Sequence, residues 1–207
     1  MYGLEMFENM YAQYASFWGQ TPNRIVTQML KYLKHGTVLD LGLGEGRDAL
    51  FLAMRGFYVD GIDIAQIAID KVTSIVSEFH LAMTAEKADI RDYQISREYD
   101  AILCLGVLQL LDYLEITSVI DQIKKKTSRG GLNVISAFTL GNPRKECPYP
   151  SPDGSFRPYY LFAKNELGEM YAGWDILEYM EYMTGFHQHE DGVLHQHAVV
   201  SIIARKR

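Results

Sequence analysis

A glycine-rich stretch, DLGLGEGR at residues 40–47, constrains the fold of this 207-residue chain more than any other feature. It follows a short strand-like run at 37–39 and precedes an amphipathic run at 48–54. Glycines at 42, 44 and 46 permit positive φ and let a ligand lie against bare main chain, and a helix that follows presents unpaired N–H groups. The stretch predicts a strand, a ligand-binding turn and a helix; the alternative is a turn that only caps the helix.

Acids at the ends of the next two strand-like runs extend this pattern. Asp63 ends the run at 58–63, and its carboxylate could accept hydrogen bonds from both hydroxyls of a ribose. Asp89 ends the third run and, with the Ile90 amide, could address the edge of an adenine. Because the carboxyl ends of parallel strands meet at one edge of an open sheet, we expect these groups to lie close together.

Apolar and backbone groups complete the predicted pocket. The side chains of Ile64 and Ile90 would lie against the faces of the adenine. Leu105 and Gly106, at the end of the fourth run, would offer backbone carbonyls to a cationic group. Together with the two acids they indicate a site for an adenosine joined to a charged group.

Strand-like and helix-like segments alternate along most of the chain. Predicted strands cover residues 38–41, 58–63, 82–88, 100–105, 131–139, 174–182 and 197–205, and predicted helices cover 4–17, 23–34, 48–54, 67–78, 114–126 and 164–170. This alternation predicts an α/β fold with a doubly wound, mostly parallel, seven-stranded sheet and helices on both faces. The last two runs, joined through an Asp-Gly turn, predict an antiparallel pair at the C-terminal edge.

The length fits a single domain spanning 1–207. Within it we expect an N-terminal helical lid at 1–36, a cofactor-binding core at 37–140, and a C-terminal helix with a strand pair at 164–207. Residues 141–163 hold five of the six prolines and several aromatic residues, which predicts a second lid over the pocket. A surface crossover packed on its own aromatics is the alternative.

Composition excludes several classes of partner. A formal charge of −6 without a long basic run argues against nucleic acid and anionic membranes as partners. The first residues lack a basic segment followed by an apolar one, and no apolar run approaches the roughly 20 residues that span a bilayer, so we expect a cytoplasmic protein. Cys104 and Cys147 are expected to be reduced thiols. The expected assembly is a monomer or a homodimer.

Several motifs are similar to those of the class I S-adenosylmethionine-dependent methyltransferases, which have a Rossmann-like fold. They are VLDLGLGEGR at 38–47, VDGID at 59–63, ADI at 88–90 and YDAI at 99–102. Within that superfamily the chain most resembles the tellurite-resistance methyltransferases, through the arginine after the glycine loop, FAKNEL at 162–167, YAGW at 171–174 and the ending IIARKR. The resemblance covers most of the chain. That family carries histidine and arginines between its last two strands; here His187 lies in that interval, and no arginine lies between it and Arg205.

The resemblance implies S-adenosyl-L-methionine as the cofactor. Asp40, Gly42 and Gly44 would form the floor under the methionine part, and Leu105 would lie beside the sulfonium-bearing chain. The full set of expected cofactor-binding residues is Asp40, Gly42, Leu43, Gly44, Asp63, Ile64, Asp89, Ile90, Leu105 and Gly106.

Methyl transfer from a sulfonium is an in-line displacement that needs alignment and exclusion of water more than acid or base catalysis. The predicted acceptor is a small molecule, with a metalloid oxyanion or another soft anion as the finer expectation. Candidate catalytic residues are His187 and Tyr11, for deprotonation or orientation, and Arg47. Arg47 either reaches the methionine carboxylate or an anionic acceptor, or pairs with Asp48 or Glu45. The candidate pocket wall comprises Tyr11, Trp18, Arg47, Tyr149, Phe156, Tyr159 and His187.

Two other functions are compatible with these residues. A non-catalytic protein of the same fold could bind S-adenosylmethionine to sense it or to support a partner. A nicotinamide oxidoreductase is disfavoured by the glycine spacing, which departs from G-x-G-x-x-G, and by the lack of a Tyr-x-x-x-Lys relay.

Four histidines, His187, His189, His195 and His197, surround the C-terminal Asp-Gly turn. A connection with an odd number of residues centred on residue 192 would place all four on one side of the hairpin and could bind a transition metal. An even-numbered turn, which Asp-Gly favours, would scatter them. The favoured interpretation is a solvated hairpin with His187 turned toward the acceptor, and no metal is expected.

Overall fold

The computed structural model describes residues 4–146, 158–188 and 192–207. The strands are β1 (Thr37–Leu41), β2 (Tyr58–Asp63), β3 (Met83–Lys87), β4 (Tyr99–Leu105), β5 (Thr127–Phe138), β6 (Asp175–Met183) and β7 (Ala198–Arg205). The helices are α1 (Leu4–Gln13), α2 (Arg24–Met29), α3 (Arg47–Ala53), α4 (Gln66–Phe79), α5 (Tyr113–Lys125) and α6 (Glu166–Met170), with a short 3₁₀ helix at Leu108–Leu110. None of the helices described combines the length and the apolar character needed to cross a membrane.

The seven strands form one sheet in the order β3-β2-β1-β4-β5-β7-β6. β1 to β5 run parallel, and β7 lies antiparallel between β5 and β6. The predicted mostly parallel sheet with an antiparallel C-terminal pair is therefore confirmed. The chain order reverses between β1 and β4, which is the place where open α/β sheets bind ligands.

Helices cover both faces of this sheet, as predicted. On one face, buried side chains of α2, α3 and α4, such as Met29, Leu52 and Val72, pack on the strands. On the other face α5 and α6 contribute Ile116 and Leu167. With apolar layers on both sides, the central parallel strands β1 and β4 are buried and present their carboxyl ends to a ligand.

Three predicted boundaries differ from the structure by more than two residues. The first helix ends at Gln13 instead of residue 17, because the Phe17 amide donates to Glu45 Oε2 at 2.6 Å and draws the chain toward the glycine loop. The second ends at Met29 instead of residue 34, where the chain continues in tighter turns. β5 begins at Thr127, four residues early, since Thr127 pairs with Tyr99 ahead of two glycines that conceal the strand pattern.

Candidate functional site

A cavity of about 350 Å³ lies at the carboxyl ends of β1 and β4. All ten residues expected to bind the cofactor line it: Asp40, Gly42, Leu43, Gly44, Asp63, Ile64, Asp89, Ile90, Leu105 and Gly106. The candidate catalytic residues Tyr11, Arg47 and His187 also line it, as does Trp18. The structure therefore brings residues from both ends of the chain to one site.

The glycine loop and the end of β2 are joined by one carboxylate. Asp63 accepts hydrogen bonds from the Gly44 amide at 2.8 Å and from the Ala65 amide at 2.9 Å. Burial raises the pKa of Asp63, and these backbone N–H groups oppose the shift. Gly42 has a φ of 82°, and a Cβ atom there would lie 2.3 Å from Val107 Cγ2, so only glycine fits this turn.

Asp40 forms a buried acidic floor of the cavity and is only 3% exposed. Burial, reinforced by the negative charge of Asp48, raises the pKa of Asp40 to about 8. The nearby Arg47 opposes this shift without abolishing it. A carboxyl group in this setting favours the approach of a cation, because a positive charge would stabilise its ionised form.

Asp89 is paired with an arginine that the sequence analysis did not consider. Arg91 donates its backbone amide to Asp89 Oδ1 at 3.0 Å and its Nε to the same oxygen at 2.9 Å, and Nη2 contacts Oδ2. The Arg91 guanidinium holds the pKa of Asp89 below its ordinary value. Both residues line the cavity. The Asp89 end of the cavity therefore carries an ionised carboxylate whose charge is balanced by the Arg91 guanidinium.

Arg47 pairs with Asp48, one of the two alternatives for this residue. Its Nη2 lies 2.9 Å from Asp48 Oδ2, and Asp48 Oδ1 accepts the Asn23 amide at 2.6 Å. Arg47 Nη1 also approaches the Trp18 carbonyl at 3.5 Å. The first turn of α3 thus ties the segment before α2 to the edge of the cavity.

Glu45, inside the glycine loop, fixes the segment after α1. Its Oε2 accepts the Phe17 amide, and its Oε1 accepts Lys71 Nζ at 2.6 Å. The same Lys71 ammonium donates to the Tyr14 carbonyl at 2.5 Å. The loop therefore holds the N-terminal segment through acids as well as presenting glycines to a ligand.

Helix α1 lies over the cavity and is docked on α4. Glu8 accepts the Gln66 amide at 2.7 Å and the Ile67 amide at 2.9 Å, the two N–H groups that begin α4. The N-cap residue of α4, Ala65, has no side-chain hydrogen-bond acceptor, so Glu8 takes that role from another helix. This contact positions the cavity-lining side chains of α1.

Tyr11 stands directly over the glycine loop. Its hydroxyl accepts a hydrogen bond from Trp18 Nε1 at 3.1 Å and would lie 3.2 Å from a Cβ atom at Gly44. Burial and the charge of Asp63 raise the pKa of Tyr11 well above its ordinary value. The hydroxyl stays protonated at neutral pH, so Tyr11 is suited to donating a hydrogen bond and not to acting as a base.

Three of the four C-terminal histidines come together. The connection between the paired residues has an odd number of residues, as in one predicted register, but its centre differs, and the favoured even-numbered turn is wrong. His187 pairs with His195 across the connection, a register centred one residue before Gly192. One ring nitrogen from each of His187, His195 and His197 lies within 4.8 Å of the others. Seven residues separate His187 from His195, and the pairing of these two residues sets the register. His189 and the turn residue Asp191 lie outside the described residues.

The other residues predicted for the pocket wall are Tyr149, Phe156 and Tyr159. Tyr159 is absent from the cavity lining and instead packs edge-on against Phe138, with ring centroids 5.1 Å apart. Tyr149 and Phe156 lie outside the described residues, as does Cys147. Cys104 is a buried free thiol within β4.

Several lining residues were missed by the sequence analysis. Arg91 could have been found from its position two residues after Asp89. Gln109 gave no signal: it is 5% exposed, donates to the Gly106 carbonyl at 2.7 Å, and buries a side-chain oxygen that has no hydrogen-bond partner in the part of the chain described. His197 was noticed, but its place in the cavity depends on the hairpin register.

Comparisons with known proteins agree with this geometry. A family model described as "Tellurite resistance protein TehB" matches residues 9–195. The "Probable S-adenosyl-L-methionine-dependent methyltransferase TehB" of Haemophilus influenzae is 31% identical over 183 residues, which are 88% of this chain and 61% of that protein. This chain thus spans less than two thirds of the curated relative.

Solved structures give the same result. The crystal structure of TehB from Haemophilus influenzae superposes with a TM-score of 0.77 at 29% identity, covering 97% of this chain and 67% of that chain. An N1-methyltransferase for 1,6-didemethyltoxoflavin from Burkholderia thailandensis superposes with a TM-score of 0.72 at 18% identity, covering 98% of this chain and 86% of the other, which shows the shared fold. The chain belongs to the family of the tellurite resistance protein TehB.

Proposed function

We propose that this chain is an S-adenosylmethionine-dependent methyltransferase that acts on a small molecule by in-line methyl transfer. The observation that carries the proposal is that one cavity is lined by the glycine loop, Asp63 and Asp89, the three features expected to hold an adenosine with a charged substituent. Family membership supports it, since the TehB relative is named a methyltransferase with this cofactor.

The cofactor would lie along the strand ends in an order set by the chemistry of the lining. Asp63 would accept the ribose hydroxyls through oxygens already oriented by the loop amides. Asp89, Ile64 and Ile90 would hold the adenine. Asp40 would face the cationic methionine part, and the buried side-chain oxygen of Gln109 would accept from its ammonium group.

The acceptor would approach from the side of the C-terminal hairpin. His187 and His197 line the cavity there together with Phe138. The imidazoles give this end of the cavity a polar wall. A metalloid oxyanion or another soft anion is the acceptor class that we propose. Such a nucleophile needs alignment and a dry pocket more than a base.

Tyr11 and Arg47 would position the bound cofactor and would not transfer protons. Tyr11 would donate a hydrogen bond over the glycine loop, as its raised pKa requires. Arg47 lines the cavity while paired with Asp48, and would direct its remaining N–H groups to the methionine carboxylate.

The test is a turnover assay with S-adenosylmethionine and acceptors of graded softness: tellurite, selenite, thiols, phenols and amines. We expect S-adenosylhomocysteine to form fastest with a soft anion. His187→Ala should lower turnover by about 10²- to 10⁴-fold with little change in cofactor affinity. The exposed His35→Ala is the matched control. Cofactor binding without turnover on any acceptor would favour the non-catalytic alternative.

A further inference from the structure

Three histidines of the C-terminal hairpin, His187, His195 and His197, form a cluster at the acceptor end of the cavity. His187 and His195 have ring centroids 4.4 Å apart, and His195 and His197 are 4.9 Å apart. All three are half-buried, and one nitrogen of each lies within 4.8 Å of the others. Three ring nitrogens this close together could act on a single ligand.

The His187 and His195 rings are each held by a backbone carbonyl oxygen at Nδ1. His187 Nδ1 lies 3.0 Å from the Gly185 carbonyl, and His195 Nδ1 lies 2.6 Å from the Val193 carbonyl. A carbonyl oxygen only accepts hydrogen bonds, so in the neutral form of each ring Nδ1 carries the proton and Nε2 carries the lone pair. Second hydrogen bonds of this kind accompany histidines that bind metals in proteins.

The third ring is oriented in the same way. His197 Nδ1 lies 3.3 Å from Asn142 Oδ1. The Asn142 amide is itself fixed, because its Nδ2 donates to the Arg144 carbonyl at 2.6 Å and its Oδ1 accepts the Ala198 amide at 3.2 Å. The ring also stacks on Phe138, with centroids 4.5 Å apart. Its position is thus determined by buried neighbours and not by the hairpin alone.

We propose that His187, His195 and His197 form a binding site for a divalent transition metal, with Zn²⁺ as the reference ion. Three neutral imidazoles are a ligand set that zinc uses, at metal–nitrogen distances of about 2.0–2.1 Å. A tetrahedral site needs nitrogens about 3.4 Å apart. The three ring nitrogens here all lie within 4.8 Å of one another.

The position opposite the three ligands would remain open. His187 and His197 both line the cavity, so a fourth ligand would come from the cavity side. If the proposed function holds, that ligand is the anionic donor atom of the acceptor, which the metal would place near the transferable methyl group. The metal site itself does not depend on that role.

The test titrates chelator-treated protein with Zn²⁺ against a competing fluorescent chelator, and repeats it with Co²⁺, whose visible absorption reports tetrahedral nitrogen coordination. We expect one ion per chain. His187→Ala, His195→Ala and His197→Ala should each weaken binding by roughly tenfold or more, and His35→Ala should not.

Affinity for S-adenosylhomocysteine and the melting temperature are measured on the same proteins, so that misfolding and loss of the cofactor site are recognised. Zinc binding without cofactor binding would remove the proposed function and keep the metal site. No stoichiometric Zn²⁺ bound by the wild type, or zinc affinity unchanged in all three folded histidine variants, would overturn the metal site.

Discussion

At the scale of single residues, the site depends on carboxylates whose surroundings differ. Asp89 forms an ion pair with Arg91, which keeps its carboxyl group ionised. Asp63 is buried but oriented by backbone amides. Burial and the negative charge of a neighbouring acid disfavour ionisation of Asp40 and raise its pKa to about 8. The same residue type therefore supplies a fixed charge, a hydrogen-bond acceptor and a group whose charge depends on the ligand.

Asp40 gives a prediction about pH. Near neutral pH its carboxyl is mostly protonated in the ligand-free protein, because its pKa is about 8. A sulfonium favours the ionised form, so binding should release a proton and affinity for S-adenosylmethionine should rise with pH up to about 8. Calorimetry in buffers of different ionisation enthalpy measures the release. In Asp40→Asn the rise should disappear, and an equal rise in this variant would contradict the assignment.

At the scale of elements, the N-terminal helix is held by side chains that complete other elements. Glu8 caps α4, while Glu45 and Asp48 bind backbone amides of the segment between α1 and α2. These contacts lie at the edge of the cavity. Docking of α1 and formation of the site are therefore coupled.

This coupling can be measured through Glu8. Glu8→Ala should release two amides of α4, reduce stability by about 0.5–2 kcal/mol, and speed hydrogen exchange in residues 4–18. Glu5→Ala, an exposed acid of the same helix, is the matched control. Binding of S-adenosylhomocysteine should slow exchange in residues 11–18 and, as the sequence predicts for a second lid, in 149–160. Exchange that is the same with and without ligand in both segments would argue against lids.

At the scale of the whole molecule, the sequence predicts the sheet and the meeting of the strand-end acids at one cavity. Asp63 and Asp89 could be placed because the carboxyl ends of parallel strands share one edge, whatever the loops do. The register of the histidine hairpin could not be predicted, since it depends on the pairing of His187 with His195 across seven intervening residues. Glu8 was equally hidden, because its contact with α4 joins residues 58 and 59 positions apart.

If the cavity that joins these elements holds the adenosine of S-adenosylmethionine, as we propose, substitution of Asp63 should weaken binding of the cofactor product. Calorimetric titration with S-adenosylhomocysteine should show one site per chain. Asp63→Ala should weaken binding at least about tenfold, since a hydrogen bond to a charged group contributes roughly 1.5–3 kcal/mol. The exposed Asp121→Ala should bind like the wild type. Unchanged affinity in a folded Asp63→Ala protein, or no binding by the wild type, would contradict the account.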